Sequence, residues 1–292
     1  VNPNLHKPPW LKIKPAFGSV YTEVKNLLKD LNLHTVCQEA SCPNIGECFS
    51  ARTATFIIMG DKCTRNCRFC GVTSGKPQAP DCNEPERVAL AVKKLNLQYA
   101  VITSVTRDDL PDGGASIFAG TIKQIRRLSP TCKVEILIPD FLENHTALDT
   151  VLEAGPEVLA HNLETVPELY RKVRPQADYN RSLQVLGYAA EASSKTIIKS
   201  GIMVGLGETI DQLERVLIDS VRAGCKMFTI GQYLSPSKTH LNVEKYYTPE
   251  EFDILKQMGE RHGILHVESG PLVRSSYMAH RQAEKFFTGA AI

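Results

Sequence analysis

Between residue 53 and about residue 262 the chain repeats one unit six times: a short apolar run, then a stretch with apolar residues at helical spacing. The runs at 53–59, 99–104, 134–138, 158–161, 197–204 and 227–230 read as strands. The stretches at 85–95, 115–128, 146–153, 179–192, 209–223 and 249–262 read as helices. Strands that alternate with helices build a parallel sheet, because parallel neighbours need a long crossover and a helix supplies it. Six units fall short of the eight that close a barrel. The expected fold is therefore α/β, a partial (β/α)6 TIM-type barrel. In the stretch 209–223, Leu213, Val216, Leu217 and Val221 recur at the spacing of one helix face packed on the sheet. Residues 53–267 would form the barrel, with 1–52 as an N-terminal and 268–292 as a C-terminal extension.

Composition narrows the class of function. Hydrophobic residues make up 42% and charged residues 23%, an ordinary globular balance. A net charge of +2 is too small to argue for nucleic acid or a membrane surface. No apolar run reaches the ~18 residues that would suggest a bilayer span. Residues Val1-Asn2-Pro3-Asn4 lack the apolar core of a secretion signal. Many thiols without such a signal point to a reducing compartment, so the expected location is cytoplasmic.

The chain has nine cysteines, and six of them fall between residues 37 and 70. Cys63-x3-Cys67-x2-Cys70 follows the first apolar run, on a loop where parallel barrels carry their chemistry. Iron–sulfur cubanes are normally held by four Cys. A trio with no fourth Cys close behind it suggests one open iron, where a substrate or cofactor can bind. Upstream lies a second trio, Cys37-x4-Cys42-x5-Cys48, broken by Pro43 and Gly46, which disfavour a continuous helix. A loop that doubles back is what three ligands converging on one cluster need. Structural zinc sites tend to repeat C-x2-4-C and supply four ligands, which neither trio matches. A disulfide framework belongs to small secreted scaffolds, not to a chain of 292 residues. Cys132 and Cys225, beside predicted strands, read as small buried hydrophobes, and Cys82 has no assigned place.

With both trios in view, the chain resembles the lipoyl synthases of the radical S-adenosylmethionine (SAM) superfamily. The x3/x2 trio, in Cys63-Thr64-Arg65-Asn66-Cys67-Arg68-Phe69-Cys70, is the superfamily's spacing. The x4/x5 trio together with Arg274-Ser275-Ser276-Tyr277 is specific to the lipoyl synthases. Further matching segments are Lys7-Pro8-Pro9-Trp10, Arg107-Asp108-Asp109-Leu110-Pro111-Asp112-Gly113-Gly114, Gly155–Val166 and Gly205-Leu206-Gly207-Glu208-Thr209. The resemblance implies the superfamily's partial (β/α)6 barrel and two 4Fe-4S clusters. It implies that Cys63, Cys67 and Cys70 hold the cluster whose open iron chelates SAM. Cys37, Cys42 and Cys48 would hold an auxiliary cluster that donates sulfur, with a serine oxygen of Arg274-Ser275-Ser276-Tyr277 as its fourth protein ligand. Ser276 is the first choice and Ser275 the second. The implied reaction inserts two sulfur atoms at carbons 6 and 8 of protein-bound octanoyl-lysine. The implied partners are octanoylated lipoyl domains of 2-oxo acid dehydrogenases, the glycine-cleavage H protein, and a ferredoxin or flavodoxin electron donor.

Other polar residues sit where apolar runs end. Asn162 and Glu164 are two apart, so both can face one side, and they are candidates for SAM contact. Thr103 and Ser104 end another strand and are candidates for the same pocket, and Arg174 is a candidate anion contact. His161 reads as a hydrogen-bonded core histidine. Arg65 and Arg68 either favour the cluster charge or are exposed loop charges. Asp108 and Asp109 either steer substrate or belong to a capped turn before a helix. Gly205 and Gly207 lack the third glycine of a dinucleotide fingerprint and are expected to let the backbone approach SAM.

Overall fold

The apolar runs pair side by side in chain order. The computed structural model describes residues 6–13, 18–40, 42–51 and 53–287. Its strands are β1 (Thr55–Ile58), β2 (Tyr99–Ser104), β3 (Lys133–Leu137), β4 (Val158–Ala160), β5 (Ile197–Val204), β6 (Met227–Gln232) and β7 (His266–Gly270). Each is parallel to the next. Between and after them run α1 (Glu84–Lys94), α2 (Ala115–Leu128), α3 (His145–Glu153), α4 (Tyr179–Ala192), α5 (Ile210–Arg222) and α6 (Pro249–Arg261). This is the expected α/β partial barrel. Six βα units are followed by a seventh strand, which the sequence pattern did not suggest. The barrel sheet therefore runs to Gly270, past the boundary at residue 267. At its other edge, His34–Thr35 pairs antiparallel with β1.

Local chemistry explains where the helices start. Asp178 accepts a hydrogen bond from the Arg181 amide ahead of α4. Thr209 with Gln212, and Thr248 with Glu251, form reciprocal capping boxes on α5 and α6. Helix α5 buries Leu213, Val216 and Leu217, each contributing roughly 1.5–3 kcal/mol when removed from water. Val221, expected on the same face, is only partly buried.

Among the described residues β1 and β7 do not pair. The chain after β7 bridges the two sides. The Leu272 carbonyl accepts from Asn44 Nδ2 (2.7 Å), Tyr277 Oη donates to Glu47, and the following helix α7 (Ala279–Phe287) packs Ala283 against Val158, Ile197 and Met227. The N- and C-terminal extensions thus share a wall of the barrel cavity.

Candidate functional site

A cavity of about 560 Å³ opens at the C-terminal ends of the strands. All six clustered cysteines line it, and so do Ser275, Ser276, Asn162, Glu164, Arg174, Thr103 and Ser104. The candidate cluster ligands and the strand-end SAM candidates are all brought to this one space. Cys82, Cys132 and Cys225 are not: Cys82 is exposed, while Cys132 and Cys225 are buried in the core.

The first trio sits on a loop after β1. Its base is closed by a short parallel pairing of Lys62–Cys63 with Thr73–Ser74. The amides of Arg65 and Thr106 donate to Cys63 Sγ at 3.4 and 3.3 Å. Arg65 is 4% exposed, so it is not a free loop charge. Its guanidinium is forked onto Asp108 (2.7 and 2.8 Å) and onto Asp140 (2.6 and 3.0 Å), and Arg181 Nε adds a third cationic contact to Asp140 at 2.9 Å. The loop is thereby tied to the ends of β2 and β3. Arg68 takes part through its backbone, with its amide on the Val173 carbonyl and its carbonyl accepting from Leu241. His240 Nε2 lies 3.0 Å from the Cys70 carbonyl.

Cys37 and Cys48 lie on two short helices, Val36–Glu39 and Ile45–Ser50, and Cys42 lies between them. A Cβ placed on Gly71 would lie 3.4 Å from Ala40 Cα, so the two cysteine loops touch. Burial pushes the Cys37 thiol up to about 11 and the Cys48 and Cys70 thiols up to about 12; Cys42 and Cys67 are raised for the same reason. Cations offset part of this. Arg274 lowers Cys42, and Arg174 followed by Arg65 lowers Cys67. Buried thiols of this kind keep their protons until a cation displaces them, which is how metal binding couples to deprotonation. An all-sulfur donor set suits iron–sulfur clusters. Among the described residues no three His, Cys, Asp or Glu side chains close on a single metal ion. A trio that serves three irons of one cubane does not converge on a point.

A polar wall stands near the first trio, with Arg174 and Glu164 close enough to act on the Cys67 thiol. Asn162 Nδ2 donates to Glu164 Oε1 (3.0 Å) and to Ser275 Oγ (2.6 Å). Glu164 adopts a left-handed backbone, φ 67°, uncommon for a residue with a Cβ, and burial raises its carboxyl. Arg174 Nη1 holds the carbonyls of Asn162 and Leu163. Asn162 Oδ1, Arg174 Nε and Ser104 Oγ are buried without a partner, whereas Thr103 donates to the Leu137 carbonyl. His161 Nδ1 contacts the Ile138 carbonyl at 2.9 Å, as a core histidine would. Ser276 Oγ accepts from Thr55 Oγ1 at 2.7 Å.

One open alternative is resolved and one expectation changes. Asp108 and Asp109 pair with Arg65 and Arg107, and Asp112 caps the start of α2, so this segment is structural. Gly205 does allow a close approach, but by protein: a Cβ there would lie 2.4 Å from the Lys245 carbonyl. Gly205 and Gly207 do not line the cavity. The residues the sequence reading missed are Asp140, Arg181, the cavity-lining Tyr99, and the buried pair Glu135 and Lys199 behind it; Arg274 was read only as part of its motif. A charge inside an apolar strand was the available signal for Glu135 and Lys199.

Residues 57–219 match the profile of the Radical SAM superfamily, and residues 2–42 match the N-terminal domain of lipoyl synthase of the radical SAM family. A lipoyl synthase from Rubrobacter xylanophilus is 55% identical over 284 residues, covering 97% of this chain and 88% of its own. One from Caldicellulosiruptor saccharolyticus is 56% identical over 273 residues, covering 94% and 96%. The chain belongs to the lipoyl synthase family. As a lipoyl synthase of the radical SAM superfamily it is an enzyme that works with SAM and 4Fe-4S clusters. Solved structures agree on the fold. Streptococcus suis SuiB bound to its precursor peptide SuiA has a TM-score of 0.56 at 13% identity, covering 91% of this chain and 57% of that one. HydG, a maturase of the FeFe-hydrogenase, gives 0.55 at 16%, covering 71% and 48%. At such identities the likeness shows fold alone.

Proposed function

We propose that this lipoyl synthase inserts sulfur at carbons 6 and 8 of a protein-bound octanoyl-lysine. In this reading Cys63, Cys67 and Cys70 hold the SAM-binding cluster, while Cys37, Cys42, Cys48 and Ser276 hold the auxiliary cluster. The observation that carries the reading is that both trios line one cavity of about 560 Å³. When bound, the clusters and SAM supply a hydrogen-abstracting radical and the sulfur. The chain's own task is to hold, orient and keep dry what reacts there.

An apolar share of the lining, including Ile57, Val101, Leu137, Ile202 and Met203, suits an acyl chain. The unpartnered Asn162 Oδ1, Arg174 Nε and Ser104 Oγ are suited to the polar groups of SAM, and the hydroxyl of Thr103 and the carboxylate of Glu164 flank them. Ser276 is favoured over Ser275 because the Ser275 hydroxyl is committed to Asn162. Ser276 instead meets Thr55, whose backbone hydrogen-bonds Cys37. Residues 1–52 then supply one trio, the barrel the other, and the segment after β7 the serine.

Octanoylated lipoyl domains and the glycine-cleavage H protein are the carriers we propose, with ferredoxin or flavodoxin as electron donor. No helix among the described residues is long and apolar enough to cross a membrane. A reducing cytoplasm suits six free thiols awaiting iron. The test mixes anaerobically reconstituted protein, SAM, a reductant and an octanoyl-lysyl peptide. Peptide carrying two added sulfurs is expected. Deoxyadenosine formed without any sulfur-bearing peptide would refute the assignment.

A further inference from the structure

Lys199 and Glu135 are 0% and 1% exposed, the most costly kind of pair to bury. They face each other across the barrel interior, Nζ to Oε1 at 2.8 Å. Glu135 Oε2 accepts from Tyr99 Oη at 2.6 Å. The cavity lining includes Tyr99 but neither charge, so the pair touches nothing that reacts. The second contact of Lys199 gives it a purpose. Its ammonium donates to the Ser275 carbonyl at 2.6 Å.

That carbonyl oxygen and the Ser276 amide nitrogen belong to one planar peptide unit. Anchoring the oxygen fixes the plane from which Ser276 Cα and its hydroxyl emerge. Two further points complete the hold: Asn162 on Ser275 Oγ, and Thr55 on Ser276 Oγ. A backbone carbonyl cannot be replaced by mutation, so a charged anchor from β5 is a direct way to fix it. Tyr99 and Lys199 in turn fix both carboxylate oxygens of Glu135, so the anchor itself cannot swing.

We propose that Lys199, held by Glu135 and Tyr99, is a positioning residue that presents the Ser276 hydroxyl to the Cys37, Cys42 and Cys48 trio. This rests on the reading of Ser276 as a ligand given above. Residues that orient ligands from behind typically cost about 10- to 100-fold in affinity or activity when lost.

The test uses the full chain, reconstituted anaerobically, as wild type, Lys199→Met and Lys199→Met/Glu135→Gln. The double variant removes both charges and leaves an acceptor for Tyr99, so it folds even where the single variant, with an unpaired buried carboxylate, does not. Mössbauer spectra of the clusters and SAM cleavage are recorded beside sulfur insertion. In the double variant the auxiliary-cluster spectrum is expected to change, and sulfur inserted per SAM cleaved to fall about 10-fold or more. SAM cleavage itself should stay near the wild-type rate. A wild-type auxiliary spectrum with full sulfur insertion overturns the proposal. Equal loss of both clusters also overturns it, since that marks general stability. If wild type itself inserts no sulfur, the functional reading fails first and is recognised as such.

Discussion

Asp140 is the sharpest point at which to perturb the first cysteine loop. Its carboxylate is completely buried and receives Arg65 through both terminal nitrogens, Arg181 Nε, and the Leu142 amide. Asp140→Asn keeps the shape and removes the charge, leaving a 4% exposed guanidinium with Asp108 as its remaining anion. Breaking one side of a buried ion pair typically costs 3–5 kcal/mol, so the variant should be about 3 kcal/mol less stable at pH 7. The pH dependence is specific. Burial alone would raise this carboxyl, but Arg65 holds it well below its ordinary 3.8. Between pH 3.8 and 3.0 the unfolded chain takes up a proton that the folded chain refuses. Folding loses stability there at 1.36 kcal/mol per unit. The gap between wild type and Asp140→Asn should therefore narrow by about 1 kcal/mol between pH 5 and pH 3. Urea unfolding of the iron-free chain under argon, run at several pH values, measures both quantities. A gap absent at pH 7, or one that widens toward pH 3, would refute the clamp as described.

His161 should shape a different window. Burial, with Arg174 beside it, lowers its ring from 6.5 to about 4, so stability present above pH 6.5 should fall by about 3 kcal/mol on the way to pH 4. His161→Gln should flatten that slope in the same urea experiment. A Cβ at Gly231 would lie 2.1 Å from the Val273 carbonyl. Gly231→Ala should therefore cost about 1–3 kcal/mol and displace the segment leading to Ser276, read as lower auxiliary-cluster iron at unchanged first-cluster iron. Replacing Cys63, Cys67 and Cys70 by Ala should remove about half the iron and abolish SAM cleavage. Replacing Cys37, Cys42 and Cys48 should remove the other half, spare cleavage and end sulfur insertion.

How much of this was legible depends on whether the signal is local. Helices at Ala115–Leu128 and Tyr179–Ala192 could be bounded to the residue, because Gly114 and Asp178 mark their starts and apolar spacing carries them through. The seventh strand was not legible. Its sequence, His266-Val267-Glu268-Ser269-Gly270, holds one aliphatic side chain, and it lies at a sheet edge where only part of it is buried. The trios were readable because their ligands are neighbours in sequence. The clamp on Arg65 was not, since Asp108 and Asp140 stand 43 and 75 residues away. Lys199 lies between these cases. A lysine within Ile197-Ile198-Lys199-Ser200 contradicts a strand buried on both faces, and that contradiction names the residue while withholding its partner.

The two cysteine sites differ in how they are put together. The first loop closes on itself through Lys62–Cys63 and Thr73–Ser74 and is clamped to the strands immediately following. The serine segment is held by Lys199, Asn162, Thr55 and Glu47, at separations of 76, 113, 221 and 230 residues. Contacts so distant in sequence form only once the strands between them have paired, because each closes a long loop against chain entropy. The wall that carries Ser276 is consequently expected to carry a larger loop-closure cost than the first cysteine loop. The first loop has distant holds of its own, Leu241 on the Arg68 carbonyl and His240 on the Cys70 carbonyl, but its clamp on Asp108 and Asp140 comes from the next two strand ends. The second site therefore depends on contacts between the two ends of the chain, whereas the first is held mainly from within the barrel.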